Sequence, residues 1–288
     1  NLLYFTDYAE SAALLVPKSG ESTLYVYSLN YEQAKESCPE FKVESVKRGE
    51  NLEPIIGRHV KAYHVKKLAF DMLTIDRYRL LAKELRSKAK LKMRGDLIRN
   101  LRAVKDNEEL ELMRKAGKLT SEGMKAAYET LKPSMKEYEL AAEVEYAMRR
   151  RGSGGTAFDT IIAAGVRSAF PHGYCSDKKI REGDLVVVDV GAVYQNYRSD
   201  MTRTLVAGKP SEKQKKLYEI LRHSQEKAVQ AVKPNAKAAE VDAVSRKVIE
   251  AAGYGEYYTH GLGHGVGIEV HEAPMLSQTS KDRLVQGN

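Results

Sequence analysis

The sequence predicts an α/β domain followed by an α+β domain made of two related halves. Three observations lead there. Over the first hundred residues, short β-rich runs alternate with helical patterns. Beyond them the texture changes to long amphipathic helices. Within that second stretch a segment recurs at an offset of 101 residues. A chain of 288 residues is long for a single hydrophobic core, which agrees with two domains, 1–103 and 104–288.

In the first domain the β-rich runs are Leu3–Phe5, Ala13–Val16, Thr23–Tyr27 and Lys67–Phe70, and "TIDRYRLLAKELRSKAK" carries a helical pattern. The stretch holds no clustered ligands, no phosphate loop and no nucleophile beside a base. Its expected role is therefore structural or substrate-shaping.

The second domain opens with "RAVKDNEELELMRKAGKLTSEGMKAAYETLKPSMKEYELAAEVEYAMRRRG", in which Pro133 marks a helix boundary. Laid on the segment starting at Lys233, Lys132, Pro133, Lys136, Glu139, Ala142 and Gly152 fall on Lys233, Pro234, Lys237, Glu240, Ala243 and Gly253. A second helix precedes each copy. The duplication predicts two α–β halves about a pseudo-twofold axis with a cleft between them.

Composition excludes several classes. Apolar residues make up 42% and charged residues 30%, the proportions of a soluble globular protein. No run approaches the roughly 18 apolar residues of a membrane span, and the opening stretch is broken by Asp7 and Glu10. That opening, without an initiating Met, reads as the inside of a domain. A formal charge of +8 raises the question of nucleic acid. The basic residues alternate with acids along helices such as "KDNEELELMRKAGK", the pattern of a solvated face. "MRRRG" at 148–152 is a basic helix C-terminus that complements the dipole. No nucleic-acid partner and no membrane are expected. Cys38 and Cys175 form neither a CxxC nor a disulfide framework, which predicts a reducing, cytoplasmic setting.

The chemistry concentrates in two places. In "DLVVVDVGAVYQNYRSDMTRTLVA", two β-rich arms flank the turn-like "YQN". A turn between Tyr194 and Gln195 would set Asp189 directly opposite Asp200. Alternation then puts Val187, Asp189, Thr202 and Thr204 on one face, and Val186, Val188 and Val190 on the other. Facing carboxylates repel, and burial disfavours their ionisation. A shared proton or a cation between them compensates; a solvated, exposed hairpin is the plain alternative.

The second place is "HGLGHGVGIEVHEAP", residues 260–274. His260 and His264 have the i, i+4 spacing of a helical zinc site, but glycines at 261, 263, 265 and 267 argue against a helix. Nor is this a dinucleotide fingerprint, because "IEVHE" reads as a strand. Alternate glycines allow close backbone approach around His264. His271 follows, and "FPHGY" supplies His172 in the first half. The offset carries 172 to within two residues of His271, so both are expected to face one cleft.

The Asp189–Gly191 "DxG", "SDMTRT", "FPHG" and "HGLGHGVGIEVHEAP", in this order, resemble the metallopeptidases that include Xaa-Pro dipeptidases (prolidases), Xaa-Pro aminopeptidases and methionine aminopeptidases. The resemblance covers roughly residues 100–288, while residues 1–100 resemble the prolidase and creatinase N-terminal domain. It implies an α+β pita-bread domain with pseudo-twofold symmetry after the α/β domain. It also implies a site in which Asp189 binds one metal through both oxygens, Asp200 bridges two metals and His264 ligates the second. His172 and His271 would flank the cleft, with His260 assisting. Two further glutamates belong to a later hairpin, so the resemblance implies a chain truncated before that hairpin.

By the same resemblance, two divalent ions, Mn²⁺ or Co²⁺ ahead of Zn²⁺ or Fe²⁺, activate a water for hydrolysis of proline-containing dipeptides or short peptides. A carboxylate-rich donor set suits the harder ions. The alternatives are an Xaa-Pro aminopeptidase acting on longer peptides and a non-catalytic binding protein of the same fold. A homodimer follows from the resemblance alone.

Overall fold

The structure is a computed structural model that describes residues 1–288. It divides into two compact units, Asn1–Arg102 and Ala103–Asn288.

The first unit runs α1 (Leu2–Thr6), β1 (Ala12–Leu15), β2 (Thr23–Tyr27), α2 (Tyr31–Ser37), β3 (Lys42–Val46), α3 (Leu52–Ala62), β4 (Lys67–Phe70), α4 (Ile75–Leu85), β5 (Lys90–Met93) and α5 (Gly95–Ala103). β2 lies between antiparallel β1 and parallel β3, and β4 pairs in parallel with β5. Leu24, Tyr25 and Val26 of β2 are fully buried. Two sequence readings change here. Leu3–Phe5 is helical, with the Thr6 hydroxyl closing on the Leu2 carbonyl at 3.0 Å. A short apolar run has no periodicity to separate helix from strand. The helical pattern after Thr74 stops at Leu85, where Arg86 and Ser87 adopt positive φ and the chain turns into β5.

The second unit runs α6 (Asn107–Thr130), α7 (Glu137–Arg150), β6 (Gly155–Thr156), β7 (Ile161–Ala164), β8 (Leu185–Val190), β9 (Ala192–Tyr194), β10 (Tyr197–Arg198), β11 (Met201–Val206), α8 (Glu212–Ala231), α9 (Ala238–Ala251), β12 (Gly263–Gly265) and β13 (Glu272–Leu276). α6 starts at a capping box. The Asp106 side chain accepts from Glu109 N at 2.9 Å, and Glu109 accepts from Asp106 N at 2.8 Å. It stops three residues before Pro133.

The internal repeat is visible position by position. α7 and α9 each span 14 residues at the same offset. The turns before them use positive φ at Ser134 (75°) and Asn235 (69°), and those after them at Gly152 (101°) and Gly253 (84°). Ser134 N donates to Ile180 O at 2.8 Å, and Asn235 N to Leu284 O at 2.7 Å.

β8 is the central strand of the sheet β7–β8–β11. Its burial alternates, with Val186, Val188 and Val190 fully buried and Leu185, Val187 and Asp189 partly so. The buried face packs on Leu140, Val144 and Met148 of α7 and on Ile162 of β7. Each such valine stabilises by roughly 1.5–3 kcal/mol relative to exposure. A Cβ on Gly123 would meet Met148 Cγ at 2.7 Å and Val144 Cγ1 at 3.2 Å, so this glycine lets α6 approach α7.

The register of the hairpin corrects the sequence reading. Tyr197 pairs with Tyr194, Arg198 with Val193, and Thr202 with Asp189. The turn is therefore centred on Gln195 and Asn196, whose φ values of 42° and 70° suit the mirror-image turn that matches strand twist. Asp189 faces Thr202, and Asp200 is displaced by two residues. A shift of two leaves every side chain on its expected face.

Candidate metal centre

Asp189 leaves β8 on the partly buried face, opposite Thr202, whose hydroxyl donates to its Oδ1 at 2.8 Å. Asp200 precedes β11 on the turn side and brings its carboxylate against Asp189. Burial pushes the Asp189 carboxyl up; the Thr202 hydrogen bond and the His264 ring oppose this, while the Asp200 charge adds to it. Gly191 makes the approach feasible, because a Cβ there would press into the Ser199 carbonyl and lie 2.8 Å from Ala157 Cβ.

His264 sits in the middle of β12, opposite Met275 of β13. Glycines around it allow this packing: a Cβ on Gly265 would strike the Ala273 carbonyl, and one on Gly261 would come within 2.7 Å of the Leu276 carbonyl. His264 Nδ1 lies 3.0 Å from Gly265 O. A carbonyl only accepts, so Nδ1 carries a proton, and in the neutral ring Nε2 keeps its lone pair. Nε2 stands 3.5 Å from Asp200 Oδ2. Two acceptors facing each other leave a gap that suits a cation.

His271 packs against His264, with ring centroids 4.2 Å apart and the ring planes tilted by 45°. It lies in a bend, one residue before β13, so the strand expected over "IEVHE" begins only at Glu272. The reason is the hydrogen bonding of the preceding loop. Arg198 N donates to Gly267 O at 2.8 Å, and the Arg198 side chain reaches Ile268 O and, at 3.1 Å, Ala157 O. Glu272 Oε1 accepts from Glu269 N at 2.9 Å, and its Oε2 lies 3.4 Å from Lys105 Nζ. These bonds occupy the groups a ladder would use.

The structure thus brings Asp189, Asp200, His264 and His271 together. His172 is exposed in the loop after the 3-10 segment Gly165–Ala169, and His260 is exposed with Nδ1 2.6 Å from Gly261 O. No side-chain contact joins either to the aspartates. Thr202, Arg198 and the buried Lys105–Glu272 pair were not singled out by sequence. Only the Thr202 alternation pointed towards one of them, since the other contacts cross long stretches of chain.

The model of metallopeptidase family M24 matches residues 111–288, and that of the creatinase/prolidase N-terminal domain matches residues 1–104. The chain belongs to metallopeptidase family M24. An Xaa-Pro dipeptidase of Pyrococcus horikoshii is 42% identical over 292 residues, covering 100% of this chain and 80% of the relative. The crystal structure of the prolidase from Pyrococcus horikoshii superposes with a TM-score of 0.91 at 42% identity, covering 99% of this chain and 81% of that one. The X-Pro aminopeptidase structure from Thermotoga maritima gives 0.89 at 33% identity, covering 99% and 81%. The fold is that of the family: a creatinase-type α/β domain and a pita-bread domain.

The donor set fits divalent ions in kind: two carboxylates close enough for the charge of Asp200 to raise the Asp189 acid, and an imidazole nitrogen turned towards Asp200. It is not a closed cage, because no three His, Cys, Asp or Glu side chains surround a common point at ligand spacing. The contacts are pairwise, Asp189 with Asp200 and Asp200 with His264. No helix is long and apolar enough to cross a membrane.

Proposed function

We propose that this protein hydrolyses Xaa-Pro dipeptides as a metal-dependent dipeptidase of family M24. The observation that carries the reading is the meeting of Asp189 and Asp200 with His264 Nε2, 3.5 Å from Asp200, in a chain 42% identical to an Xaa-Pro dipeptidase. Asp189, Asp200 and His264 would hold the ions. Divalent ions bound there supply Lewis acidity and lower the pKa of water. Thr202 orients Asp189 by its hydrogen bond, and Gly265 O fixes the tautomer of His264. His271, packed against His264, together with His172 and His260 would bind the substrate and move its proton.

A set dominated by carboxylates favours Mn²⁺ or Co²⁺, with Zn²⁺ or Fe²⁺ next. A homodimer and a cytoplasmic location belong to the same reading; they rest on family resemblance alone. The similarity to an X-Pro aminopeptidase structure supports the second reading, cleavage of longer Xaa-Pro peptides.

The test is to supply Mn²⁺ or Co²⁺ and compare Xaa-Pro dipeptides, longer Xaa-Pro peptides and matched dipeptides lacking proline. The dipeptidase reading expects the first to be cleaved at least about tenfold faster, a margin that one well-placed contact provides. Faster cleavage of the longer peptides selects the second reading. No cleavage of any substrate, with or without added ions, removes both.

A further inference from the structure

We infer that two arginine–carboxylate pairs, Arg246 with Asp242 and Arg167 with Glu137, are positioning residues that fix the loops presenting His260 and His172. The inference rests on the dipeptidase reading, in which those histidines meet the substrate.

In the second half, the Asp242 side chain is fully buried on α9. It accepts from Arg246 Nε at 3.1 Å and from the backbone N–H of Leu262 at 2.9 Å. Arg246 donates onward to Tyr258 O at 2.8 Å and His260 O at 2.9 Å, and its guanidinium lies 4.1 Å from the centre of the Tyr258 ring. One ion pair therefore holds the backbone of residues 258–262, leaving the His260 ring exposed.

In the first half, the Glu137 side chain is also fully buried. It accepts from Ala164 N at 2.9 Å, Ser176 N at 3.0 Å, Ser176 Oγ at 2.6 Å and Arg167 Nε at 3.1 Å. Arg167 donates onward to Tyr174 O. Entrance and exit of the 164–176 loop meet at one carboxylate, and His172 projects exposed between them.

The two clamps do not occupy matching positions of the repeat. At the 101-residue offset Glu137 falls on Ala238, and Asp242 falls on Ala141. Simple copying of an ancestral pair does not give this. A common requirement does: in each half, a loop carrying an exposed histidine needs a rigid backbone. Stability alone would not select buried ion pairs, since apolar side chains of equal volume serve as well. What the fork of a guanidinium adds is direction: that of Arg246 reaches two carbonyls in fixed geometry, and that of Arg167 ties the Glu137 carboxylate to the Tyr174 carbonyl.

The test is a set of double-mutant cycles on Xaa-Pro dipeptide hydrolysis with Mn²⁺ supplied. Arg246→Lys keeps the charge beside Asp242 but cannot span both carbonyls. It is expected to lower kcat/KM about 10- to 100-fold, the scale of a misplacement near 1 Å. In a His260→Ala background the same change is expected to cost less than about twofold, because the residue it positions is gone. Arg167→Lys should behave likewise with His172→Ala. The crossed pair, Arg246→Lys with His172→Ala, should keep the full loss. Asp242→Asn with Arg246→Gln, which removes both charges together, should repeat the pattern. Amide exchange should quicken over 258–262 in Arg246→Lys and not over 164–176. Equal losses in both backgrounds would overturn the inference while leaving the dipeptidase reading intact. A wild-type protein that cleaves no Xaa-Pro peptide would overturn both.

Discussion

His264 Nε2 and Asp200 Oδ2 face each other at 3.5 Å, joining β12 to the hairpin that also carries Asp189. The two side chains are 20% and 23% exposed, so the gap between them is open to an ion and still partly shielded. His264→Ala removes the only nitrogen donor in the set. It is expected to lower metal-supported kcat/KM at least about 100-fold, the upper range for loss of a group that orders a metal. Steady-state assays across a Mn²⁺ titration check this.

Asp189→Asn should stabilise the metal-free protein even as it abolishes activity. The Asp189 carboxyl is raised in the folded state, chiefly by burial. An acid raised on folding costs nothing below its unfolded pKa, where both states are protonated. Its penalty grows as pH rises from the unfolded pKa to the raised folded pKa and is complete above the latter. Solvent screening limits the gain to under about 1 kcal/mol, on the order of 2 °C for a chain of this size. Thermal melts of the metal-free variant at about pH 3, below the unfolded pKa, and at pH 8 should show the gain only at the higher pH. A lower melting temperature at pH 8 would contradict the argument.

Thr202→Val removes the 2.8 Å hydrogen bond to Asp189 Oδ1. The loss favours the protonated acid, so proton and metal compete more closely. Calorimetric titration should find divalent-ion affinity about 10- to 100-fold weaker, with the deficit smaller at higher pH.

Asn196→Ala keeps the hairpin but places a less tolerant residue at a φ of 70°. The left-handed conformation should cost about 1 kcal/mol, or 2–4 °C. KM should not move, since the turn lies outside the metal-facing set.

Arg198→Ala strips a donor from the carbonyls of Ile268 and Ala157. A partly buried carbonyl left unpaired costs about 1–3 kcal/mol. The loop that carries His271 should then exchange its amides faster than the β8–β11 ladder, which mass spectrometry of exchange resolves.

Much of this architecture is legible in the residues. The valine alternation in β8 gave the correct face for Asp189, and the Lys132–Gly152 repeat gave both helix pairs. "YQNY" offers two turn centres, and only the positive φ of Gln195 and Asn196 decides between them. Parity protected the functional conclusion: a shift of two residues keeps Asp200 on the face of Asp189. The loop before β13 reads as a strand because its residues are β-prone. Arg198 and the Lys105–Glu272 pair, distant in sequence, take its hydrogen bonds. Contacts spanning from 69 to 167 residues leave no local periodicity to read.

The most direct measurement of the central claim is anomalous scattering from crystals soaked in Mn²⁺. The account predicts a manganese peak within about 2 Å of carboxylate oxygens of both Asp189 and Asp200, with His264 Nε2 facing the same site. No peak there, or manganese held only by other residues, would contradict it.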